Sequence, residues 1–145
     1  DRLIEKLEAL GQRSEKPIAL IGWSLGGYMA REAARELPQL VSQVITLGTP
    51  VIGGPKYTLA APAFIKRKCD LDWIEQSIAS REERPIEVPV TALVSPSDGI
   101  VGYNAALDHH SPKVQHINMD VSHLAFPYSP AAWRVIEETL LNLEK

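Results

Sequence analysis

Four short apolar runs alternate along this chain with segments whose apolar residues recur at helical spacing. The runs are PIALIG from Pro17, VSQVITLG from Val41, VPVTALVS from Val88 and KVQHINM from Lys113. The first three are largely apolar and are closed by turn-forming residues, which is typical of strands buried on both faces. Because buried parallel strands are joined through helical crossovers, the alternation predicts an α/β fold with a mainly parallel sheet of about four strands flanked by helices.

The intervening segments have the apolar spacing of amphipathic helices. They run from residue 1 to Leu10, from Ser24 to Leu37, from Asp70 to Arg81 and from Pro130 to Leu143. Gly11 and Pro38 are natural stops for the first two helices, and Asp70 is a favoured cap for the third. Residues 51–87 contain several Gly and Pro residues around this third helix, so we expect a lid-like, mostly irregular excursion there.

Composition excludes several classes of protein. A chain of 145 residues, 45% of them apolar, fits one globular domain, and a net charge of −3 does not suggest a nucleic-acid-binding surface. No apolar run approaches the roughly 20 residues needed to span a bilayer, and no signal peptide opens the sequence. The lone Cys69 cannot form an internal disulfide. The single cysteine and the lack of a visible signal peptide favour the cytoplasm.

The most informative motif is Gly22-Trp23-Ser24-Leu25-Gly26, placed where the first strand gives way to a helix. A tight turn there forces strained dihedral angles on the serine and projects its hydroxyl from the backbone. We expect a β-carbon at either flanking glycine to clash with the adjoining strand and helix. The backbone N–H of Leu25 is the expected oxyanion donor. The alternative is that Ser24 only caps a helix and the glycines only allow close packing.

The segments IGWSLGGYMAREAARELP and VITLGTP resemble the α/β-hydrolase superfamily, and within it the lipase and esterase branch. The resemblance covers nearly the whole chain. It implies that a nucleophile on a strand-to-helix turn is followed in sequence by an acid after a later strand and by a histidine after the last strand. It also implies a small-molecule or lipid ester as substrate, with no metal and no cofactor.

Two residues fit the acid and base positions of this arrangement. Asp98, in VSPSDGIV, follows the third strand, and His123, in NMDVSHLAF, lies past the fourth at the carboxyl edge of the sheet, where reactive groups of open α/β sheets gather. Both segments also resemble the family's motifs. The alternatives are an Asp-Gly turn without catalytic role and a surface or core histidine.

The chain order Ser24, Asp98, His123 therefore predicts a serine hydrolase that cleaves carboxylic esters through an acyl-enzyme on the serine. The same triad also serves acyltransferases and amidases, because it does not decide which nucleophile resolves the acyl-enzyme. A third interpretation is a non-catalytic α/β binding module that retains the turn.

The excursion and the tryptophan beside the nucleophile supply candidate substrate contacts. We expect Trp23, Tyr57 and Phe64 to bind the substrate, since apolar side chains beside the basic run at residues 66–68 suit an apolar ester. The alternative is a packed loop with a solvated basic turn.

The resemblance further implies strands before the first helix, which would supply a second oxyanion donor and cover the PIALIG strand. We therefore expect a partial hydrolase domain, the carboxy-terminal portion of a larger protein, or else a second chain or a homodimer that covers this sheet edge.

Overall fold

The sheet has four strands, all parallel, in the order β1-β2-β3-β4. The computed structural model describes residues 2–142. The strands are β1 (Ile18–Trp23), β2 (Val41–Leu47), β3 (Val90–Val94) and β4 (Val114–Asn118). Each lies within a run predicted to be a strand, apart from the last residue of β1, and the expected parallel α/β architecture is confirmed.

Five α-helices accompany the sheet in the described part of the chain. They are α1 (Arg2–Gly11), α2 (Leu25–Glu36), α3 (Ala61–Lys66), α4 (Leu71–Glu82) and α5 (Pro130–Asn142). Four of them match the predicted helices to within a residue or so, although the predicted outer limits Asp1 and Leu143 lie outside the described residues. The predicted cap is also confirmed, because the Asp70 side chain accepts a hydrogen bond of 2.9 Å from the Trp73 N–H.

The excursion is more regular than its Gly and Pro content predicts. A 3-10 helix covers Gly54–Tyr57, and the short α3 precedes the predicted α4. Pro62 does not prevent α3, because it lies in the first turn, where a backbone N–H has no intrahelical acceptor. The irregular backbone expected at residues 61–66 is therefore wrong.

The core lies on both faces of the two central strands. On one face Ala30 and Ala34 of α2 pack against Val44 and Val90. On the other face, side chains of α5 and of the segment before it pack against β2 and β3; they include Ile136, Ala132 and Phe126 against Ile45 and Leu93. The sheet thus separates two apolar layers, as expected for a parallel sheet flanked by helices.

The outer strands are less buried than the central ones. β1 has only β2 as a neighbour among the described residues, and Ile21 is 43% exposed. The PIALIG run therefore forms a sheet edge, as expected. Among the described residues, no helix has both the length and the apolar character that crossing a bilayer requires.

A buried ionic network fastens α2 to the rest of the molecule. Arg31 lies 2.6 Å from an oxygen of Asp108, and Arg35 lies 2.9 Å from Glu82 at the end of α4. Burial raises the pKa of the Asp108 carboxyl, but the charge of Arg31 and the hydrogen bond from the Ser111 N–H outweigh burial and hold that pKa well below its usual range. Asp108 is therefore a charged anchor for α2 at neutral pH.

Candidate active site

The turn after β1 holds Ser24 in a strained backbone conformation. Its φ of 53° and ψ of −123° lie in a region that residues with a side chain rarely adopt. The surrounding structure secures it, because the Ser24 N–H donates to the Leu47 carbonyl at 2.9 Å and the Ser24 carbonyl accepts from the Gly27 N–H at 3.1 Å. The hydroxyl is thereby projected at the carboxyl end of β1.

The glycines around this turn differ from expectation. A β-carbon on Gly22 would overlap the Gly26 carbonyl, as predicted. A β-carbon on Gly26, however, would meet nothing within 4 Å, so the clash predicted there is wrong. Gly27 makes the close contact instead, since a β-carbon on it would overlap the Thr49 hydroxyl. The helix turns Gly26 outward and Gly27 toward the strand, which its one-residue shift of about 100° explains.

Three side chains converge at the carboxyl edge of the sheet. The Ser24 Oγ lies 3.0 Å from the His123 Nε2, and the His123 Nδ1 lies 2.8 Å from the Asp98 Oδ2. Both Asp98 and His123 are buried, at 5% and 3% exposure. This is the geometry of a nucleophile, a base and an orienting carboxylate.

The second oxygen of Asp98 is held by its own loop. The Asp98 Oδ1 accepts hydrogen bonds from the N–H groups of Ile100, at 3.0 Å, and Val101, at 2.6 Å. The His123 N–H also donates to the Asp98 carbonyl at 2.8 Å. The carboxylate is therefore fixed toward the imidazole, and the two loops that follow β3 and β4 are tied together.

Gly48 is a site residue that the sequence analysis did not single out. It has a φ of +51°, and a β-carbon on it would lie 2.7 Å from the Asp98 Oδ2 and 3.1 Å from the His123 Nδ1. The signal was the glycine that ends the second strand in VITLGTP. Its role was not predictable without knowing that β2 ends beneath the Asp98–His123 pair.

A groove of about 600 Å³ opens at Ser24 and is lined mainly by apolar side chains. We call it the α2–α4 groove, because one face of α2 and one face of α4 supply much of its lining. Parts of residues 50–64, Leu3 and Ile4 of α1, and residues 100–101 complete it. Phe64, one of the predicted substrate contacts, lines this groove together with Leu25.

The other two predicted substrate contacts do not line the α2–α4 groove. The Trp23 indole N–H donates to the His123 carbonyl at 3.0 Å, with the two rings 5.4 Å apart. The Tyr57 hydroxyl bonds to Glu75 at 2.6 Å, which turns the ring toward α4. Trp23 therefore positions the histidine segment, and Tyr57 fastens the excursion to α4.

The first residue of α2 follows Ser24 directly and offers a backbone N–H donor to the site. Leu25 is the first residue of α2, so its N–H has no intrahelical acceptor and lies at the positive end of the helix dipole. Within residues 2–142, no cluster of three or more His, Cys, Asp or Glu side chains could hold a metal ion.

No protein-family model and no curated protein matches this chain. Solved structures match it in fold. Alpha/beta hydrolase domain-containing protein 10 from mouse is 22% identical with a TM-score of 0.64, and the match covers 96% of this chain and 66% of that one. An esterase from Pyrococcus furiosus is 16% identical with a TM-score of 0.66, covering 97% and 60%. A monoacylglycerol lipase from Paleococcus ferrophilus is 15% identical with a TM-score of 0.63, covering 97% and 73%.

The chain thus spans 60% of the Pyrococcus esterase and 66% of the mouse protein. These similarities concern the backbone, since all three identities are low. Together with the four parallel strands and the helices on both faces, they show that this chain has the α/β-hydrolase fold.

Proposed function

We propose that the chain carries the catalytic centre of a serine hydrolase that cleaves carboxylic esters. The observation that supports this most is the chain of contacts from Ser24 Oγ through the His123 ring to Asp98, with distances of 3.0 and 2.8 Å. A packing role does not require a serine in a strained conformation aimed at an imidazole. Two of the similar structures are described as an esterase and a monoacylglycerol lipase, in keeping with ester cleavage.

In the first half of the proposed reaction, the Ser24 oxygen attacks the ester carbonyl while His123 Nε2 takes the hydroxyl proton. Asp98 holds the other ring nitrogen and stabilises the imidazolium. The carbonyl oxygen becomes an oxyanion beside the Leu25 N–H. The bond to the alcohol then breaks, the alcohol leaves with the proton from His123, and the acyl group remains on the serine.

The second half repeats these steps with water in place of the serine. His123 takes a proton from the water while the water oxygen attacks the acyl carbon. The bond to Ser24 breaks, and the serine oxygen recovers the proton from the imidazolium. This half consumes the acyl-enzyme and one water, and its products are a carboxylic acid and the free enzyme.

The test combines covalent labelling with turnover. We expect a fluorophosphonate probe to label Ser24 in the folded chain, and we expect Ser24→Ala to remove labelling and to lower kcat for p-nitrophenyl esters on the order of 10⁶-fold. Ser80→Ala is the matched control, because Ser80 is exposed on α4 and should leave both readouts unchanged.

Absence of labelling in a chain shown by circular dichroism to be folded would contradict the proposal and would favour a binding module. If the probe labels Ser24, and the unlabelled chain transfers the acyl group of an ester to an added alcohol in preference to water, the site would be that of an acyltransferase. Turnover of amides in preference to esters would assign it to an amidase.

A further inference from the structure

The α2–α4 groove runs along α2 away from the serine. The α2 residues that line it recur at intervals of three and four, so they share one helix face; they are Leu25, Tyr28, Met29, Glu32, Ala33 and Glu36. At 1.5 Å per residue, about 12 Å of the groove lies between Ser24 and Glu32, and its lining continues to Glu36. Its length is therefore that of an extended aliphatic chain rather than of a small group.

The opposite wall of the groove is α4, which runs alongside α2 in the same direction. Two ion pairs establish this alignment. Arg81 of α4 pairs with Glu32 at 2.8 Å, and Arg84, two residues beyond the end of α4, pairs with Glu36, four residues further along α2. Trp73 and Ile74 therefore lie toward the Ser24 end, Ser77 follows them along α4, and Arg81 lies beside Glu32.

The position of the histidine decides which part of an ester enters the groove. His123 must protonate the leaving alcohol, so the alcohol lies beside the imidazole in the transition state. The groove lining, as far as it is described, ends in sequence at Val101. The segment around His123 lies later in the chain and contributes no residue to it. The groove therefore leads away from the leaving group and toward the acyl side of the carbonyl.

The groove lining includes charged side chains beyond Tyr28. Between Ser24 and Tyr28 the walls are mostly apolar, whereas Arg81 and Glu32 form an ion pair across the groove at 2.8 Å. Glu32 is also 3.4 Å from Arg35, so it keeps a cationic partner of its own. An aliphatic chain that reached this pair would displace water from charged groups without replacing its hydrogen bonds, which is unfavourable.

We infer that the α2–α4 groove binds the acyl chain of the substrate, and that the Arg81–Glu32 ion pair limits the length of chain it accepts. This inference rests on the proposed function, because it takes Ser24 as the point of attack. It assigns medium-length aliphatic carboxylic esters as the substrate class and Arg81 as a residue that determines specificity.

A series of p-nitrophenyl esters from acetate to palmitate tests the groove by turnover. Each methylene buried in it should raise kcat/KM about fourfold, until the chain reaches the ion pair and the rise ends. Ser77→Leu fills the middle of the groove, so we expect it to lower the ratio of kcat/KM for the longer esters to kcat/KM for the acetate about tenfold or more.

The limit on chain length is tested by Arg81→Met, which replaces the guanidinium with an apolar side chain and leaves Glu32 paired with Arg35. We expect kcat/KM for the longest esters to rise about tenfold relative to kcat/KM for the acetate. Arg84→Met is the matched control, because Arg84 pairs with Glu36 of α2 but does not itself line the groove. An Arg84→Met profile shifted as much as that of Arg81→Met would overturn the role given to Arg81.

A binding readout separates this inference from the proposed function. Trp73 lines the groove and is 65% exposed, so a bromine-labelled dodecanoate should quench its fluorescence. Ser77→Leu should weaken that quenching, and Trp73→Phe should remove it. Quenching that Ser77→Leu leaves unchanged, or no quenching at all, would overturn the groove assignment. Turnover that survives Ser24→Ala would instead overturn the proposed function, whatever the quenching shows.

Discussion

At the scale of single residues, the candidate site depends on glycines as much as on the three side chains that make contact. Gly48 leaves room for the Asp98–His123 pair, and Gly22 and Gly27 let α2 approach the adjacent strands closely. Gly48 also has a left-handed φ, which favours glycine on backbone grounds. A methyl group added at one of these glycines should therefore have a different effect on the site from a methyl group added at a neighbouring glycine.

Gly48→Ala is expected to reduce turnover while the chain still folds. The added β-carbon would lie 2.7 Å from the Asp98 Oδ2, so the carboxylate and the imidazole must shift apart. A displacement of about 1 Å costs on the order of 10²-fold in rate, and the proposed enzyme should lose at least that much kcat. The measurement is p-nitrophenyl acetate turnover beside a thermal unfolding curve. Full turnover in a folded variant would contradict this account of Gly48.

The pair Gly26→Ala and Gly27→Ala should change stability in opposite directions. The β-carbon on Gly26 meets open space, and alanine is the better helix former by up to about 1 kcal/mol. The β-carbon on Gly27 would overlap the Thr49 hydroxyl, and overpacking of this kind costs about 1–3 kcal/mol. Urea denaturation of the two variants checks the prediction, and equal changes in the free energy of unfolding would contradict it.

At the scale of elements, α2 is held by charge behind the site and by apolar contacts on the sheet. Arg31 and Arg35 are almost fully buried, and their partners Asp108 and Glu82 come from two other segments of the chain. α4 is additionally tied to the 3-10 helix at Gly54–Tyr57 through Lys56, which lies 2.7 Å from Asp72. The two kinds of ion pair differ in burial, and their contributions to stability should differ accordingly.

Asp108→Asn should destabilise the fold far more than Asp72→Asn. Removing the buried charge leaves Arg31 without its closest anion, and breaking a buried pair costs about 3–5 kcal/mol. The Asp72 side chain is 78% exposed, and an exposed pair contributes no more than about 1 kcal/mol. The free energy of unfolding in urea, measured at neutral pH, distinguishes the two. Similar losses for both variants would show that the Arg31 network is not an anchor for α2.

At the scale of the whole molecule, the parallel sheet separates two apolar layers of the core, one beneath α2 and one against α5, that have no buried side chain in common. Ile86 belongs to the layer on the α2 face of the sheet. Ile136, a residue of α5, belongs to the layer on the opposite face. Both are fully buried. The reactive residues lie at the carboxyl edge of the sheet, so neither layer needs to change when the loops above it vary.

Ile86→Val and Ile136→Val should therefore act independently. Each removes one buried methylene and costs about 0.5–1.5 kcal/mol. Because the two sites lie on opposite faces of the sheet, the double variant should equal the sum of the single losses to within about 0.5 kcal/mol. A larger coupling energy in urea denaturation would mean that the two layers respond as one.

Much of the fold was predictable because its determinants are local. The apolar runs at the strands, Pro38 after α2 and Asp70 before α4 each act within a few residues of the element they limit. The short α3 departs from the irregular backbone that the Gly and Pro content of residues 51–87 predicts, because Pro62 lies in the first turn of the helix, where it is tolerated. The motif predicts a clash at Gly26, whereas Gly27 makes the close contact, because spacing within a motif does not reveal which side of a helix meets a strand.

By itself, the sequence determined the alternation of strands and helices, the strained turn at Ser24, and the order of serine, carboxylate and histidine along the chain. Only the tertiary structure decided that these three groups lie within hydrogen-bonding distance, that Gly48 lies beneath them, and that Phe64 lines the groove while Trp23 and Tyr57 do not. The physical reason is that hydrophobic periodicity and turn chemistry act over a few residues, whereas contacts between side chains up to 99 positions apart depend on how the strands pair and the loops pack.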